Sequence, residues 1–245
     1  MPDTVLQIAR RVVLPVALLL AVMLLLGGLV TRVLARSWPF TVEDAVNREL
    51  AGDRTAGWND ISLVFSTLAS TQMIVLVTAL VALALRLWLR RWREPLFLCA
   101  AVTAQALVFL LTTMVIDRQR PAVEHMDVSP PTSSFPSGHT SAAVALYVGI
   151  AVLLALRSRS TAGKVSWWTL LVLVPVGVAL TRMYRGMHHP SDVVASFLNG
   201  GACVAIMARS ILDRGVRWGR AALPSITEAR AQGDGATPRP KPRVS

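Results

Sequence analysis

The sequence has little charge and little cysteine for its length. Only 16% of its 245 residues are Asp, Glu, Lys or Arg, whereas an average soluble domain carries about one quarter. Two cysteines are too few for a small domain held together by several disulfides. A hydrophobic fraction of 53% is too high for a disordered chain. The scarce charge is nevertheless one-sided, since the formal net charge is +11.

Long uncharged segments separate the clusters of basic residues. A nucleic-acid-binding protein would carry such charge on a polar fold instead, so we expect no nucleic-acid partner. A helix needs roughly 20 apolar residues to cross a bilayer, and shorter segments suffice when their polar flanks belong to a packed site. The sequence therefore predicts an all-α polytopic membrane protein, a bundle of six transmembrane helices, with spans at residues 12–31, 61–85, 95–116, 140–156, 165–181 and 193–208.

We expect one membrane domain and a tail. Residues 1–212 hold the six spans, and residues 213–245 are rich in Pro, Gly and Arg, which predicts a disordered, basic cytoplasmic tail. Within the first loop, residues 41–44 resemble a capping box. The apolar residues that follow at helical spacing predict either a short amphipathic helix at the membrane interface or a plain connector.

Basic residues are unevenly distributed between the segments that join the spans. Seventeen of the 25 Lys and Arg residues lie in alternate segments that include both ends of the chain. The other segments hold eight, together with nine of the 14 acidic residues. Because cytoplasmic loops carry an excess of Lys and Arg, both termini are predicted to be cytoplasmic. The loops between spans one and two, three and four, and five and six then face outside.

All four histidines lie in the last two of these outer loops, or where those loops meet a span. Ionisable residues at a membrane boundary are costly unless they are used, so this clustering indicates a functional site. Arg120 and Arg182 offer planar groups of donors that match phosphate oxygens. Ser137 and Gly138 precede a predicted helix, so their backbone N–H groups and the hydroxyl suit an anion at a helix N-terminus.

A nucleophile and an acid are also present in these loops. His188 and Asp192 are four residues apart, so the carboxylate can hold one ring N–H and direct the other nitrogen outward. His139, from another helix, would protonate a leaving group. Phosphoryl transfer requires mainly positioning and stabilisation of charge. The residues therefore predict a phosphoryl-transfer site.

Three segments, in this order, resemble the signature motifs of the type 2 phosphatidic acid phosphatase and vanadium haloperoxidase superfamily. The first motif is a Lys, six residues and then Arg-Pro, and it ends here at 120–121. The second, Pro-Ser-Gly-His, stands intact at 136–139. The third is Ser-Arg, five residues, His, three residues and Asp, and it occupies 181–192 with Thr in place of Ser.

The resemblance implies an integral membrane lipid phosphatase that needs no metal or other cofactor. His188 would attack phosphorus and form a phosphohistidine, oriented by Asp192. His139 would protonate the leaving oxygen and then activate the hydrolytic water. By the same resemblance, the equatorial phosphate oxygens are held by Arg120, Arg182, Ser137 and Gly138.

One position departs from the family pattern. The lysine of the first motif falls at position 113, which is Thr113 in this chain. One cationic contact to phosphate is therefore missing. Arg118 either replaces part of that contact, as a further phosphate-binding residue, or pairs with the adjacent Asp117 at the level of the headgroups.

Two other site chemistries fit the residues less well. His139, His188 and Asp192 together resemble a facial metal site, but the adjacent arginines and the anion cradle disfavour a cation there. Cys203 and Arg209 have the spacing of thiol phosphatases, yet a single helix would hold them roughly 9 Å apart along its axis. We therefore predict no metal ligands and assign the cysteines to packing.

The expected substrate is a lipid phosphate or diphosphate in the outer leaflet of the cell membrane. A polyprenyl diphosphate, cleaved to the monophosphate, is favoured by family analogy and by the outward orientation. Phosphatidic acid and phosphatidylglycerol phosphate are the alternatives. Two further hypotheses are a catalytically weak lipid-phosphate binder and a vanadate-holding haloperoxidase, and the six spans disfavour the latter.

Overall fold

The computed structural model describes residues 2–128 and 132–213, and within these ranges the chain forms helices and no strands. We number eight helices in chain order: α1 Val5–Arg36, α2 Glu43–Gly52, α3 Ala56–Leu68, α4 Thr71–Leu89, α5 Arg93–Val115, α6 Gly138–Ala155, α7 Thr161–Tyr184 and α8 Pro190–Leu212.

Six of these helices, α1 and α4 to α8, are long enough and apolar enough to cross a membrane. Their outer faces carry exposed aliphatic side chains such as Leu18, Leu80 and Leu173. Apolar surface of this extent marks an interface, which for such helices is with lipid. The prediction of an all-α polytopic bundle with six spans is confirmed. Apart from Asp213, the predicted basic tail lies outside the described residues.

The second span differs from its prediction. Residues 61–68 belong to the separate helix α3, and the span itself, α4, begins only at Thr71. Ser70 causes the break: its backbone is extended, and its hydroxyl accepts a hydrogen bond from the Met73 N–H at 3.4 Å. A serine in this position satisfies an N–H group that the helix end leaves free, so it starts a new helix.

The last three spans are longer than their apolar segments. α6, α7 and α8 comprise 18, 24 and 23 residues, because polar residues at their ends, including residues of the motifs, are part of the helices. The first turn of α6 includes His139, the last turn of α7 includes Arg182, and the first turn of α8 includes Asp192. The motif residues therefore stand on rigid helix ends.

α6 and α8 lie at the centre of the bundle. The apolar window of α6 is 61% buried and that of α8 is 50% buried, against 11% in α4. α8 packs on α5 and α6, and α6 also packs on α7. The approach of α8 to α6 is close: a Cβ atom at Gly200 would come within 2.6 Å of the Ser141 carbonyl oxygen. The two helices that begin with His139 and Asp192 are thus the most deeply packed of the six spans.

The loop between the first two spans contains the helix α2. It begins at Glu43 without a side-chain cap, so the capping box predicted over residues 41–44 does not form. Glu43 and Asn47 are buried, whereas the apolar Val42 and Val46 are partly exposed. This short helix therefore packs its polar face against the rest of the protein.

Candidate active site

The turn between α7 and α8 carries the predicted nucleophile. α7 ends in a Schellman motif, in which the N–H of Met187 donates to the Arg182 carbonyl at 3.0 Å and that of Gly186 to the Met183 carbonyl at 2.9 Å. Gly186 has a φ of +74°, in the left-handed region that glycine adopts without strain. His188 follows two residues later and is 5% exposed.

The start of α8 fixes the carboxylate of Asp192. His189 is the N-cap, Pro190 is the first helical residue, and the N–H of His189 donates to Oδ2 of Asp192 at 2.8 Å. Asp192 is fully buried, and it also accepts hydrogen bonds from Arg118 Nη1 and, at 2.5 Å, from the Ser134 hydroxyl. A buried carboxylate requires such partners to stay ionised.

Ser134 stands between Asp192 and His188. The Nδ1 of His188 lies 2.7 Å from the Ser134 carbonyl oxygen and 3.9 Å from the nearest oxygen of Asp192. The direct hydrogen bond predicted from the four-residue spacing is therefore wrong. Asp192 acts on His188 through Ser134, because Ser134 donates its hydroxyl to Asp192 and offers its carbonyl to the ring.

The surroundings of His188 fix its tautomer and its charge. A carbonyl oxygen only accepts, so Nδ1 carries the proton and Nε2 is left with its lone pair. No described residue lies within hydrogen-bond distance of Nε2. Burial lowers the pKa of His188 to about 3, although the charge of Asp192 opposes this shift. The ring is thus a neutral imidazole at physiological pH.

The second motif forms the N-terminus of α6. Ser137 is the N-cap: its hydroxyl accepts from the Thr140 N–H at 3.4 Å, and its own N–H donates to the Ser196 hydroxyl at 2.8 Å. Its N–H is thus engaged, whereas no described residue accepts a hydrogen bond from its hydroxyl, so its predicted role as a phosphate ligand stays a prediction. The N–H groups of Gly138 and His139, in contrast, have no acceptor among the described residues. These two groups can bind an anion.

Arg182 is held along one edge of its guanidinium. Its Nη1 donates to the Ser66 hydroxyl at 2.8 Å and pairs with the carboxylate of Asp127. Its buried Nε has no hydrogen-bond partner among the described residues. Asp127 also binds Arg185, with 2.6 Å between Oδ1 and Nη2. Burial raises the pKa of Asp127, but the hydrogen bond from Arg185 and the charges of both arginines lower it to about 2.

Arg120 and Arg118 point in different directions. Arg120 donates to the Met187 carbonyl at 2.8 Å, and burial lowers its pKa against the opposing charge of Asp192. Arg118 binds Asp192 and, at 2.6 Å, the carboxylate of Glu43. Both predictions for Arg118 are therefore wrong: it neither takes the place of the motif lysine nor pairs with Asp117. It stabilises the carboxylate behind the nucleophile.

One cavity of about 940 Å³ connects the two predicted catalytic histidines to the lipid-facing surface of the bundle. Its polar end is lined by Arg120, Arg182, His139 and His188. Its other end runs between α4 and α5, where Val75 and Leu110 line it and are themselves 61% and 53% exposed on the outer surface of the bundle. The same cavity can therefore hold a phosphate group at its polar end and an apolar chain at its other end.

The residues of the two alternative sites, a metal site and a thiol-phosphatase site, do not lie together in the structure. Among residues 2–128 and 132–213, no three His, Cys, Asp or Glu side chains stand close enough to hold a metal ion. Cys203 is fully buried, whereas Arg209 is exposed, so the two do not share a site. Of the remaining histidines, His125 is exposed and His189 lies between Asp44 and Asp192.

Four residues of the site were missed in the sequence. Ser134 and Asp127 lie in the loop between α5 and α6, and Glu43 and Asn47 lie on α2. An acidic residue in a loop rich in arginines was a weak signal for Asp127. Nothing in the local sequence marks the other three, because their partners are 54 to 141 residues away.

The solved structures that the chain resembles include a phosphatase from Bacillus subtilis and a protein from Aquifex aeolicus. The chain is similar to "the first transmembrane PAP2 type phosphatidylglycerolphosphate phosphatase from Bacillus subtilis", with a TM-score of 0.71 and 20% identity over 84% of this chain and 98% of that chain. It is also similar to Aquifex aeolicus LpxE, with a TM-score of 0.54 and 21% identity over 70% of this chain and 97% of that chain. These identities establish the fold alone.

Sequence comparisons identify the family. A search among curated proteins gives no match. The model of the PAP2 superfamily matches residues 94–215, about half of the chain. That range contains all three motifs and the helices α6, α7 and α8. The chain therefore belongs to the PAP2 superfamily.

Proposed function

We propose that the protein is a membrane lipid phosphatase that transfers a phosphoryl group from its substrate to His188 and then to water. The observation that carries this proposal is the cavity with a cationic end and an apolar end. A soluble phosphate ester has no need of the apolar end, which runs between two membrane-spanning helices. A pure binding site has no need of a neutral, buried histidine at the cationic end.

The first chemical step uses the free nitrogen of His188. Its lone pair on Nε2 forms a bond to phosphorus, the bond from phosphorus to the leaving oxygen breaks, and His139 gives a proton to that oxygen. The Ser134 carbonyl then accepts the hydrogen bond of a ring that has become cationic. The fully buried Asp192, 3.9 Å away, stabilises that positive charge.

The second step returns the enzyme to its starting state. His139, now neutral, takes a proton from a water molecule as that water attacks phosphorus, and the bond between phosphorus and Nε2 breaks. Phosphate leaves, and His188 is again a neutral imidazole. In both steps, Arg120 and the unpartnered Nε of Arg182 stabilise the negative charge on the three equatorial oxygens. The N–H groups of Gly138 and His139 are further hydrogen-bond donors to these oxygens.

For the substrate we propose a polyprenyl diphosphate, cleaved at the outer face of the membrane. The cavity of about 940 Å³ has room for two phosphate groups and the first units of a chain. The distribution of basic residues supports the outward orientation. Phosphatidylglycerol phosphate, the substrate named for the Bacillus subtilis structure, and phosphatidic acid are the alternatives.

The test is phosphate release from lipid substrates in detergent micelles. Polyprenyl diphosphate, phosphatidylglycerol phosphate and phosphatidic acid are compared for the wild type, with and without a chelator. We expect the fastest release from polyprenyl diphosphate and no effect of the chelator. Faster release from another lipid would correct the substrate, and loss with the chelator would restore a metal to the reaction. No release from any lipid would contradict the proposed function.

The nucleophile is tested by trapping the phosphoenzyme. Wild-type protein quenched in alkaline detergent should carry radioactive phosphate that is stable in base and labile in acid, and His188→Ala should carry none. His125→Ala is the matched control, because His125 is an exposed histidine of the same outer face that does not line the cavity. Labelling that persists in His188→Ala would assign the nucleophile elsewhere.

A further inference from the structure

We infer that α2 is a positioning element for the nucleophile, and that Glu43 and Asn47 are its positioning residues. This inference rests on the proposed function. α2 lies outside residues 94–215, which contain every motif and match the family model. Glu43 and Asn47 are one helical turn apart and are 6% and 0% exposed. Two polar residues are buried on one face of a short loop helix only when specific partners compensate them.

Glu43 closes a chain of polar contacts that ends at His188. Its Oε1 accepts from the N–H of Ser191 at 2.8 Å, and its Oε2 binds Nη2 of Arg118 at 2.6 Å. The other terminal nitrogen of Arg118 binds Asp192, and Asp192 reaches His188 through Ser134. Glu43 therefore fixes the direction of Arg118 and shares its charge with Asp192.

Asn47 holds the backbone of the nucleophile itself. Its Nδ2 donates to the His188 carbonyl at 3.0 Å and to the Met183 carbonyl at 3.2 Å. These carbonyls lie on either side of the left-handed turn at Gly186. One side chain thus ties the end of α7 to the residue that follows the turn. Rotation of the turn, which would swing the imidazole, requires both hydrogen bonds to break.

Neither residue lines the catalytic cavity, so each acts through other groups. Their loss should leave the phosphate-binding end intact while the imidazole becomes misdirected. A near-attack geometry is sensitive to displacements of about 1 Å, which cost up to about a hundredfold in rate. The expected signature is a fall in kcat with little change in KM.

The first experiment compares Glu43→Gln and Asn47→Ala with Glu49→Gln in the lipid phosphatase assay. Glutamine keeps an oxygen for the Ser191 N–H but removes the charge beside Arg118. Glu49 is an exposed glutamate of the same helix and serves as the matched control. We expect kcat to fall about tenfold or more in both test variants, KM to stay within about twofold, and Glu49→Gln to match the wild type.

A binding measurement separates positioning from a merely structural role. Orthovanadate takes a fifth ligand from a correctly directed imidazole, as a transition-state analogue does, whereas inorganic phosphate requires only the cationic end. In both variants we expect vanadate to bind about tenfold more weakly and phosphate to bind as in the wild type. This measurement needs no turnover, so it decides the role of α2 even if no lipid is hydrolysed.

Three results would overturn the inference. They are kcat within about twofold of the wild type in both variants, equal losses of vanadate and phosphate affinity, and equal losses of kcat and substrate affinity. The equal losses would show that α2 only supports the fold. An inactive wild type that binds vanadate, with both variants binding it more weakly, would instead contradict the proposed function and leave the positioning role supported.

Discussion

His188 combines a buried imidazole at the polar end of the cavity with a fixed proton on Nδ1. Burial keeps the ring neutral, and the Ser134 carbonyl 2.7 Å away settles which nitrogen is free. A histidine on the surface would be partly protonated near neutrality and would lose nucleophilicity. A consequence is that protonation of the buried ring in acid destabilises the folded protein.

The depressed pKa of His188 predicts a loss of stability in mild acid. In the unfolded chain the pKa of His188 is about 6.5, whereas in the folded protein it is about 3. Below pH 6.5 the unfolded state therefore binds more protons, and stability falls as pH falls. From about pH 6.5 to about pH 5 the loss attributable to this residue is about 2 kcal/mol.

The measurement is unfolding of wild type and His188→Gln in detergent at about pH 7.5 and about pH 5. Glutamine cannot be protonated, so this variant should lose less stability between the two conditions than the wild type does. An equal loss in both proteins would show that His188 is not the group that resists protonation.

Arg182 lines the cavity, and one edge of its guanidinium is held by Ser66 and Asp127. In Arg182→Lys a single ammonium replaces the fork, and it cannot serve Asp127, Ser66 and a phosphate together. We expect inorganic phosphate to inhibit this variant about tenfold more weakly, as measured by competitive inhibition of lipid hydrolysis. Arg159→Lys, an exposed arginine between α6 and α7, is the control and should keep the wild-type inhibition constant.

At the scale of elements, the site depends on how closely α8 approaches α6. A Cβ at Gly200 would meet the Ser141 carbonyl at 2.6 Å and Val144 at 2.7 Å, whereas a Cβ at the adjacent Gly201 would meet nothing within 4 Å. The obstructing atom at Gly200 is backbone, so the helices themselves must separate. That separation would move Asp192 away from His139.

Gly200→Ala should therefore be destabilised by about 1–3 kcal/mol and should lose activity in proportion to the shift of α8. Gly201→Ala, the matched control on the same helix, should equal or exceed the wild type in stability, because alanine favours the helix. The measurements are the apparent melting temperature and lipid phosphatase activity of each variant in the same detergent. A Gly200→Ala protein with both properties unchanged would show that the two helices are free to separate without cost.

The sequence predicted the elements well where the signal was local. Long apolar segments predicted all six spans, and Ser137 and Pro190 stand at helix starts as such residues usually do. The break before Thr71 was missed because Ser70 interrupts an apolar segment without adding charge. Hydropathy responds to composition, whereas the end of a helix is decided by a single hydrogen bond.

Hydrogen bonds and ion pairs between residues distant in the sequence could not be predicted from the sequence. Arg118 is adjacent to Asp117 in the sequence, yet it binds Glu43 and Asp192, which are 75 and 74 residues distant. Ser134 replaced the expected carboxylate beside His188 because the loop before α6 folds over the start of α8. The motifs indicated which residues lie together in the site, whereas tertiary packing determines which of their atoms form hydrogen bonds.

At the scale of the whole molecule, the distribution of basic residues predicts the orientation. In intact cells, a membrane-impermeant maleimide should label Arg48→Cys on α2 but label Arg159→Cys only after the cells are broken. Both positions are exposed, and of the two native cysteines Cys203 is buried and Cys99 is half-buried. The unsubstituted protein is the background control. Labelling with the opposite preference would place the catalytic cavity on the cytoplasmic side.

The cavity that reaches the flank of the bundle between α4 and α5 has a kinetic consequence. A substrate that enters there arrives by diffusion in two dimensions, within the leaflet, and never crosses bulk water. The enzyme then responds to the mole fraction of its substrate among neighbouring lipids. Adding detergent at a fixed amount of substrate should slow the reaction, and crowding the same molecules into less lipid should speed it. For this protein, the relevant substrate concentration is therefore the amount of substrate per unit of membrane area.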